Sequence, residues 1–264
     1  MDWEKLKGFI KLARVRHTAQ VVGIVTIFSI RSHGFSTLST LVILSYLFLF
    51  LSFFLLDDAY DYKSDQIVHP ERAIPKGLFT SRQVYFIGAT ALLVSILFAS
   101  RLLFYQFALF LVATVLGIAL IFFNFNSLIR AILTAFQIWI VFPISAFPDL
   151  KILIFGLIVG LPHIGGSISK DFIHSSGDER IGLSAPPIWS KYIAALTFFL
   201  SAAVIWLPVL LDLVTWLYIP PIFITFVCCI LLGVMALKGH YPKVYFYGGI
   251  GMISSLLAFL LESA

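Results

Sequence analysis

Apolar stretches of about 20 residues recur from one end of this 264-residue chain to the other. The hydrocarbon core of a bilayer is about 30 Å thick, and a helix needs roughly 20 mainly apolar residues to cross it. Nine such windows lie at about residues 17–34, 37–58, 83–100, 102–124, 130–148, 152–172, 190–210, 213–237 and 244–262. The sequence therefore predicts an all-α, polytopic membrane protein with about nine transmembrane helices.

Composition agrees with this interpretation, because 60% of the residues are hydrophobic and only 12% are charged, against about a quarter charged in soluble domains. Only Arg101 marks the boundary between the third and fourth windows, so eight spans is the alternative count. The segment before the first window, about residues 1–16, is amphipathic and basic. No small-residue cleavage site follows it, which argues against a removed signal peptide. We expect one membrane-embedded domain, residues 1–264.

The basic residues are distributed unequally between the two sides of the predicted membrane. With nine spans, fifteen of the 18 Lys and Arg residues fall on the side of the N-terminus. The positive-inside rule then predicts a cytoplasmic N-terminus and a C-terminus on the outer side. The net charge of +5 follows from this bias and gives no reason to expect nucleic-acid binding. Cys228 and Cys229 are adjacent within a span, so neither a disulfide framework nor a cysteine metal site is indicated.

Acidic residues are concentrated at the ends of the second and sixth spans. In the first segment Asp57, Asp61 and Asp65 stand at i, i+4 and i+8, which places them on one face of a helix, with Asp58 alongside. Like charges at this spacing destabilise a helix unless a cation compensates them. Mg²⁺ prefers oxygen ligands and typically uses one or two carboxylates with phosphate oxygens. The pattern therefore predicts a site that holds metal ions against a phosphate group.

The second segment has a similar pattern. Asp171, His174 and Asp178 stand at i, i+3 and i+7, on one face if the helix continues past Gly177. A bundle could bring the two segments opposite each other across a cavity, and solvated loop residues are the simpler alternative. Arg and Lys side chains among the acidic residues suit a diphosphate, and the predicted diphosphate-binding residues are Lys63, Arg72, Lys76, Lys170 and Arg180.

A polar stripe marks the fifth predicted span. Arg130, Thr134 and Gln137 recur at i, i+4 and i+7, shortly after Asn124. Polar residues at membrane depth usually face the interior of a bundle. We predict that these four residues line the cavity and contact the acceptor, with ordinary hydrogen bonding between helices as the alternative.

The acidic segments resemble the motifs of the UbiA superfamily of intramembrane prenyltransferases. The first motif of that family, N/D-D-x-x-D-x-x-x-D followed by a segment like N-x-P-x-R-x-I-P-x-G, matches "DDAYDYKSD" and "HPERAIPKG". The second motif resembles K-D-x-x-D-x-x-G-D-x-x-x-G. The matching residues are Asp57, Asp58, Asp61, Asp65, Pro70, Arg72, Ile74, Pro75 and Gly77 in the first, and Lys170, Asp171, Gly177, Asp178 and Gly182 in the second.

One departure concerns the second motif, where His174 stands in the position of a usual Asp. Imidazole is a softer ligand than carboxylate and suits Mg²⁺ poorly, so Asp171 could replace it or the site could be weaker. The resemblance implies an all-α bundle around a central cavity, with both motifs at its cytoplasmic mouth. It also implies Mg²⁺-dependent transfer of a polyprenyl group from its diphosphate to a hydrophobic acceptor, such as a quinone-precursor aromatic compound or an isoprenoid lipid.

On this basis we assign catalytic roles to Asp58, Asp61 and Asp178, and metal binding to Asp57, Asp61, Asp65, Asp171, His174 and Asp178. Two alternatives stay open. A cation-coupled transporter also uses carboxylates in a membrane, but near the midplane rather than at span ends. A catalytically reduced relative that binds isoprenoids would explain His174.

Overall fold

The computed structural model describes residues 3–178 and 186–262, without the side chains of residue 16 and of residues 174–178. All regular structure in this part of the chain is helical. The helices are α1 (Trp3–Leu12), α2 (Val15–His33), α3 (Thr37–Tyr60), α4 (Tyr62–Val68), α5 (Ser81–Ala99), α6 (Phe104–Phe122), α7 (Ser127–Ser145), α8 (Leu150–Asp178), α9 (Ser190–Val204), α10 (Leu207–Leu210), a 3₁₀ turn (Trp216–Tyr218), α11 (Ile219–Leu237) and α12 (Tyr241–Leu261).

Eight helical segments within the described residues are long and apolar enough to cross a membrane. They correspond to the second to ninth predicted spans, and α5 and α6 are separate helices, as the higher count requires. The first predicted span coincides with α2, which is 19 residues long but contains two arginines and is less apolar. The all-α, polytopic membrane fold is confirmed, and the predicted count of about nine agrees roughly with the structure.

The chain forms two compact units, Met1–Asn124 with Ile144–Ala146, and Phe125–Pro143 with Phe147–Ala264. In the first unit α3 is central and packs along α5, α2 and α6. Within the second unit α11 packs against α9 and α12, while α8 packs against α9 and α12. Each unit carries one of the two acidic segments.

Helix α3 makes polar contacts at its start, at its middle and near its end. Its first turn is closed by a capping box, in which Ser36 Oγ accepts a hydrogen bond from the backbone of Ser39. Midway along it, the buried Ser95 hydroxyl of α5 donates to the carbonyl of Ser45 over 2.7 Å. Near its end, Ser81 donates to the carbonyl of Ala59. Hydrogen bonds between helices replace the hydrophobic driving force that is absent in lipid, so these bonds fix the end of α3 relative to α5.

The C-terminal end of α3, which carries the acidic residues, packs into a small hydrophobic core. This core combines residues from α1, α3, α5 and the loop after α4, and its buried members are Leu12, Leu55, Ala59, Ala73, Ile74 and Val84. The loop is tightly turned, because Gly77 has a positive φ of 75° and Leu78 donates to the carbonyl of Ala73. As a result, the "HPERAIPKG" segment is folded against α1 and α3.

In the second unit, glycines of α8 allow close helix packing. A Cβ atom added at Gly156 would lie 2.8 Å from Trp139 of α7, and one at Gly160 would lie 3.0 Å from the carbonyl oxygen of Ala135. Farther along α8, a Cβ atom at Gly165 would meet Phe198 of α9 at 2.7 Å. Small residues let helix backbones approach in membranes, and here they set the spacing of α7, α8 and α9.

Candidate active site

The first acidic segment keeps a helical path from the end of α3 into α4. The amide of Asp61 donates to the carbonyl of Asp57 over 2.9 Å, and the amide of Asp65 donates to the carbonyl of Asp61 over 2.9 Å. The three residues therefore occupy successive turns, as their spacing predicts. Asp58 and Asp65 are buried, whereas Asp57 is partly exposed and Asp61 is exposed.

Two arginines neutralise three of these four carboxylates. Arg14, between α1 and α2, donates through Nη2 to Asp57 Oδ2 at 2.9 Å and to Asp58 Oδ1 at 2.7 Å. Arg72, in the loop after α4, donates through Nη1 to both carboxylate oxygens of Asp65 at 2.8 Å. The same Nη1 atom lies 3.8 Å from Asp58 Oδ1. A buried carboxylate requires such a partner, since an unpaired charge out of water is costly.

Asp61 differs from its three neighbours because no described residue forms an ion pair or hydrogen bond with its carboxylate. Although the residue is exposed at its surface, desolvation of the carboxyl group and the negative charges of Asp57 and Asp65 raise its pKa to about 6. Arg72 opposes this shift only in part. Because Asp61 has a raised pKa and no cationic partner among the described residues, it is the carboxylate of this cluster most suited to bind an added cation.

The predicted diphosphate-binding residues of this unit differ in their surroundings. Arg72 is half-buried and already paired with Asp65, whereas Lys63 and Lys76 are exposed. The backbone of Arg72 accepts a hydrogen bond from the amide of Lys76 over 3.1 Å, so the same turn carries both cations. An arginine held near carboxylates and an exposed lysine beside it form a suitable surface for a phosphate group.

The donor chemistry of this cluster fits Mg²⁺, because all four side chains offer carboxylate oxygens, which are hard ligands. Among the described residues no group of three His, Cys, Asp or Glu side chains converges on one point suited to a metal ion. Mg²⁺ does not require such a cage, since it commonly takes one or two protein carboxylates and completes its shell with water and substrate phosphate oxygens. Asp57, Asp61 and Asp65 could each supply one of those carboxylates.

The second acidic segment lies on α8 in the other unit. The backbone of α8 is helical as far as Asp178, so the condition for the i, i+3, i+7 face is met. The hydroxyl group of Ser127, at the start of α7, donates a short hydrogen bond to Asp171 Oδ2. Lys170 is exposed. The side chains of His174 and Asp178 and the whole of Arg180 lie outside the described residues, so their predicted roles stay predictions.

The residues predicted to contact the acceptor are not all on one element. Asn124 is exposed after the end of α6 in the first unit. The other three lie on α7 in the second unit, where the Thr134 hydroxyl donates to the carbonyl of Arg130 over 2.8 Å. The side chain of Gln137 is half-buried, as is that of Arg130. Their role with an acceptor stays a prediction.

Sequence reasoning missed two partners of the acidic residues. Arg14 counts in the sequence only as one of the basic residues that set orientation, yet it contacts Asp57 and Asp58, more than 40 positions away. Ser127 is 44 positions from Asp171. The only signal available for Arg14 is its place at the junction of an amphipathic segment and a span on the side where the acidic residues lie.

Two solved structures resemble this chain along almost its full length. The first is a digeranylgeranylglyceryl phosphate synthase, with a TM-score of 0.79, 24% sequence identity and coverage of 98% of this chain and 99% of the other. The second is a UbiA homolog from Archaeoglobus fulgidus bound to DMAPP and Mg²⁺, with a TM-score of 0.66, 13% identity and coverage of 97% and 99%. Neither protein-family models nor curated proteins gave a match.

These likenesses show that the chain has the same all-α membrane fold as the two solved structures. One of the two is a UbiA homolog, and the chain shares the fold of both along almost its full length. The resemblance that the acidic motifs predicted is therefore confirmed at the level of the fold.

Proposed function

We propose that the protein transfers a polyprenyl group from a polyprenyl diphosphate to a lipid-soluble or amphiphilic acceptor, with Mg²⁺ and with release of diphosphate. The observation that carries the proposal is the carboxylate cluster at the end of a membrane-spanning helix, in which Asp61 has no cationic partner among the described residues and has a raised pKa. The fold that the chain shares with two prenyltransferases supports it.

In this function the first unit binds and orients the diphosphate group. Asp57, Asp61 and Asp65 would hold Mg²⁺, whose charge would neutralise the negative charge that develops on the departing diphosphate. Arg72 and Lys76 donate hydrogen bonds to phosphate oxygens. The ion pair between the half-buried Arg72 and the buried Asp65 keeps the guanidinium beside the cluster before substrate arrives.

Departure of the diphosphate leaves an allylic cation on the prenyl group, and water must be kept from it. The end of α3 presents aromatic surface for this purpose. Tyr60 packs edge-on against Phe122 of α6, with ring centroids 5.1 Å apart. Aromatic faces stabilise cations and exclude water, and in the proposed reaction this pair, whose Tyr60 precedes Asp61 in the sequence, would protect the cation.

The nature of the acceptor is the finer part of the proposal. The neighbour with the higher TM-score is a digeranylgeranylglyceryl phosphate synthase, which supports an isoprenoid lipid with a polar head as acceptor. A quinone-precursor aromatic compound is the second class of acceptor that the motifs allow. The assay includes an acceptor of each class, and we expect transfer of the prenyl group to one of the two.

The test is an assay of purified protein in detergent or nanodiscs. Radiolabelled farnesyl or geranylgeranyl diphosphate is supplied with a prenylated glycerol-phosphate lipid or a phenolic acid, in Mg²⁺ or in EDTA. We expect a prenylated product and released diphosphate with Mg²⁺ only. Asp61→Ala should abolish both, whereas Asp149→Ala, which removes an aspartate from the start of α8 in the other unit, should retain them.

Each other outcome has a defined meaning. Binding of prenyl diphosphate without any release would favour the catalytically reduced relative. No binding of any donor, together with Asp61-dependent cation flux into proteoliposomes, would favour the transporter. Either result would overturn the proposed reaction.

A further inference from the structure

Arg14 contacts the acidic site, although the proposed reaction gives it no role. One nitrogen of its guanidinium lies within hydrogen-bond distance of two different carboxylates, at 2.9 Å from Asp57 and 2.7 Å from Asp58. We propose that Arg14 is an internal counter-cation of this site, which stabilises Asp57 and Asp58 when no metal is bound and which competes with a divalent cation for their oxygens.

The backbone of Arg14 indicates that its position is specified. Its φ of 41° and ψ of 48° lie in the left-handed region, where residues other than Gly, Asn and Asp are uncommon because of a clash at Cβ. Such a conformation is unfavourable for an arginine, and it persists only when the surrounding structure determines it. A flexible arginine on a continuous helix would avoid this cost.

The surroundings that determine the turn are on both sides of Arg14. Before it, Leu12 and Ala13 are buried, and the amide of Ala13 donates to the carbonyl of Phe9. After it, the hydroxyl of Thr18 donates to the carbonyl of Ala13 over 2.9 Å. The amides of the two residues that begin the next turn, His17 and Thr18, both donate to the carbonyl of Arg14 itself. The peptide between α1 and α2 is thus held at several points, which directs the side chain of Arg14 to the end of α3.

A further contact holds the guanidinium group. Its carbon lies 5.0 Å from the centre of the Phe54 ring, one turn before Asp57 and Asp58 on α3. A cation above an aromatic face is favourable, and it helps offset the loss of water around a half-buried arginine. Arg14 therefore contacts two carboxylates and a ring of the same helix.

A metal ion and this guanidinium would compete for the same negative charge. Mg²⁺ binds carboxylate oxygens at about 2.0–2.1 Å, and Asp57 Oδ2 and Asp58 Oδ1 already accept bonds from Arg14. A metal on either oxygen would lie within a few ångströms of another positive charge. Arg72 adds to the effect, because its Nη1 atom is 3.8 Å from the same oxygen of Asp58. A metal ion that binds either of these two oxygens would therefore displace Arg14 from it.

This inference rests on the proposed function, because it takes Asp57 as a metal ligand. The experiment measures Mn²⁺ binding to purified protein by electron paramagnetic resonance, without substrate. The variant is Arg14→Asn, since asparagine is neutral and tolerates the left-handed conformation. The matched control is Lys11→Gln, which removes an exposed positive charge one turn earlier on α1.

We expect Arg14→Asn to bind Mn²⁺ about tenfold more tightly than the wild-type protein. This ratio of dissociation constants corresponds to the free energy of one charge-assisted hydrogen bond, which the metal no longer has to break. Lys11→Gln should change the affinity less than about twofold. Without metal, Arg14→Asn should have a lower Tm than the wild-type protein, and saturating Mn²⁺ should restore more of the Tm in the variant.

Equal or weaker Mn²⁺ binding by Arg14→Asn would overturn the inference and leave Arg14 as a structural clamp. A gain of the same size in Lys11→Gln would also overturn it, since the effect would then be one of net charge. If neither protein binds Mn²⁺ alone, the inference is wrong. A different result would contradict the proposed function: no Mn²⁺ binding even in the presence of an unreactive prenyl thiodiphosphate.

Discussion

The raised pKa of Asp61 predicts that Asp61→Asn should increase the stability of the metal-free protein at pH 8, although the substitution removes a residue of the site. At this pH the carboxylate is ionised, lacks an ion pair among the described residues, and is repelled by Asp57 and Asp65. Asparagine has nearly the same size and removes the charge. Because the folded-state pKa lies above the ordinary value, the favourable protonated form is present at low pH and is lost as the pH rises through about 6.

The magnitude follows from the shift and from the exposure of the side chain. A rise from 3.8 to about 6 corresponds to at most about 3 kcal/mol at about 1.4 kcal/mol per pKa unit. Asp61 is exposed, so solvent screening reduces the usable part to about 1 kcal/mol. For a protein of this size that corresponds to an increase in Tm of about 2–4 °C. The advantage of the variant should be complete above about pH 6 and roughly half as large at pH 5, where the carboxyl of the unfolded chain is still ionised; it should vanish only below the ordinary value of 3.8.

The assay is thermal unfolding in detergent with EDTA at about pH 3.5, 5, 6 and 8, followed by tryptophan fluorescence. The control is Glu71→Gln in the same segment, where a hydrogen bond from its own backbone and the nearby His69 hold the pKa of Glu71 below its usual value. That variant should gain no stability at pH 8. A Tm of Asp61→Asn below that of the wild-type protein at pH 8, or an advantage that is independent of pH, would refute the reasoning.

Two further predictions concern packing and a buried ion pair in the second unit. Gly165→Ala should lower stability by about 1–3 kcal/mol, because its Cβ would lie 2.7 Å from Phe198. Gly166→Ala, whose Cβ would have no atom of the described residues within 4 Å, should not. Equal effects in thermal unfolding would contradict this close packing of α8 against α9. Glu262→Gln should cost about 1–3 kcal/mol, since it leaves the half-buried Lys151 without its partner at 3.1 Å. Desolvation alone would raise the pKa of Glu262, but hydrogen bonds from Thr215 and Lys151 hold this pKa below the ordinary value of 4.5. The stabilisation that the Glu262 carboxylate contributes to the fold is therefore present above pH 4.5 and should be lost as the pH falls below that value. An unchanged chemical-denaturation midpoint for Glu262→Gln would show the pair to be unimportant.

The sequence determines most of the helical plan because the bilayer imposes a length and a polarity on each span. The predicted α5–α6 boundary at Arg101 is correct, since one exposed charge and a short turn suffice to end a span. Helix α2 is the weakest member of the predicted set for the same physical reason, because Arg31 and its polar first turn reduce its apolar character. Spacing also places the carboxylates of Asp57, Asp61 and Asp65 on successive turns.

The partners of those carboxylates could not be predicted in the same way. Helical spacing relates residues within about a turn of each other, whereas Arg14 reaches Asp57 from another element. Its approach depends on a left-handed turn at an arginine, and propensity rules assign that conformation to glycine or asparagine. The contact between Ser127 and Asp171 is similarly a product of how α7 and α8 pack.

These contacts change the physical argument for a metal site. From the sequence, stacked carboxylates call for an external cation, because their mutual repulsion would otherwise destabilise the helix. The fold meets part of that demand internally, through Arg14 on Asp57 and Asp58 and through Arg72 on Asp65. Repulsion alone therefore does not require Mg²⁺. The stronger reason is Asp61, whose charge no described residue pairs and whose pKa is raised, so that binding a cation there removes a cost that the fold itself leaves in place.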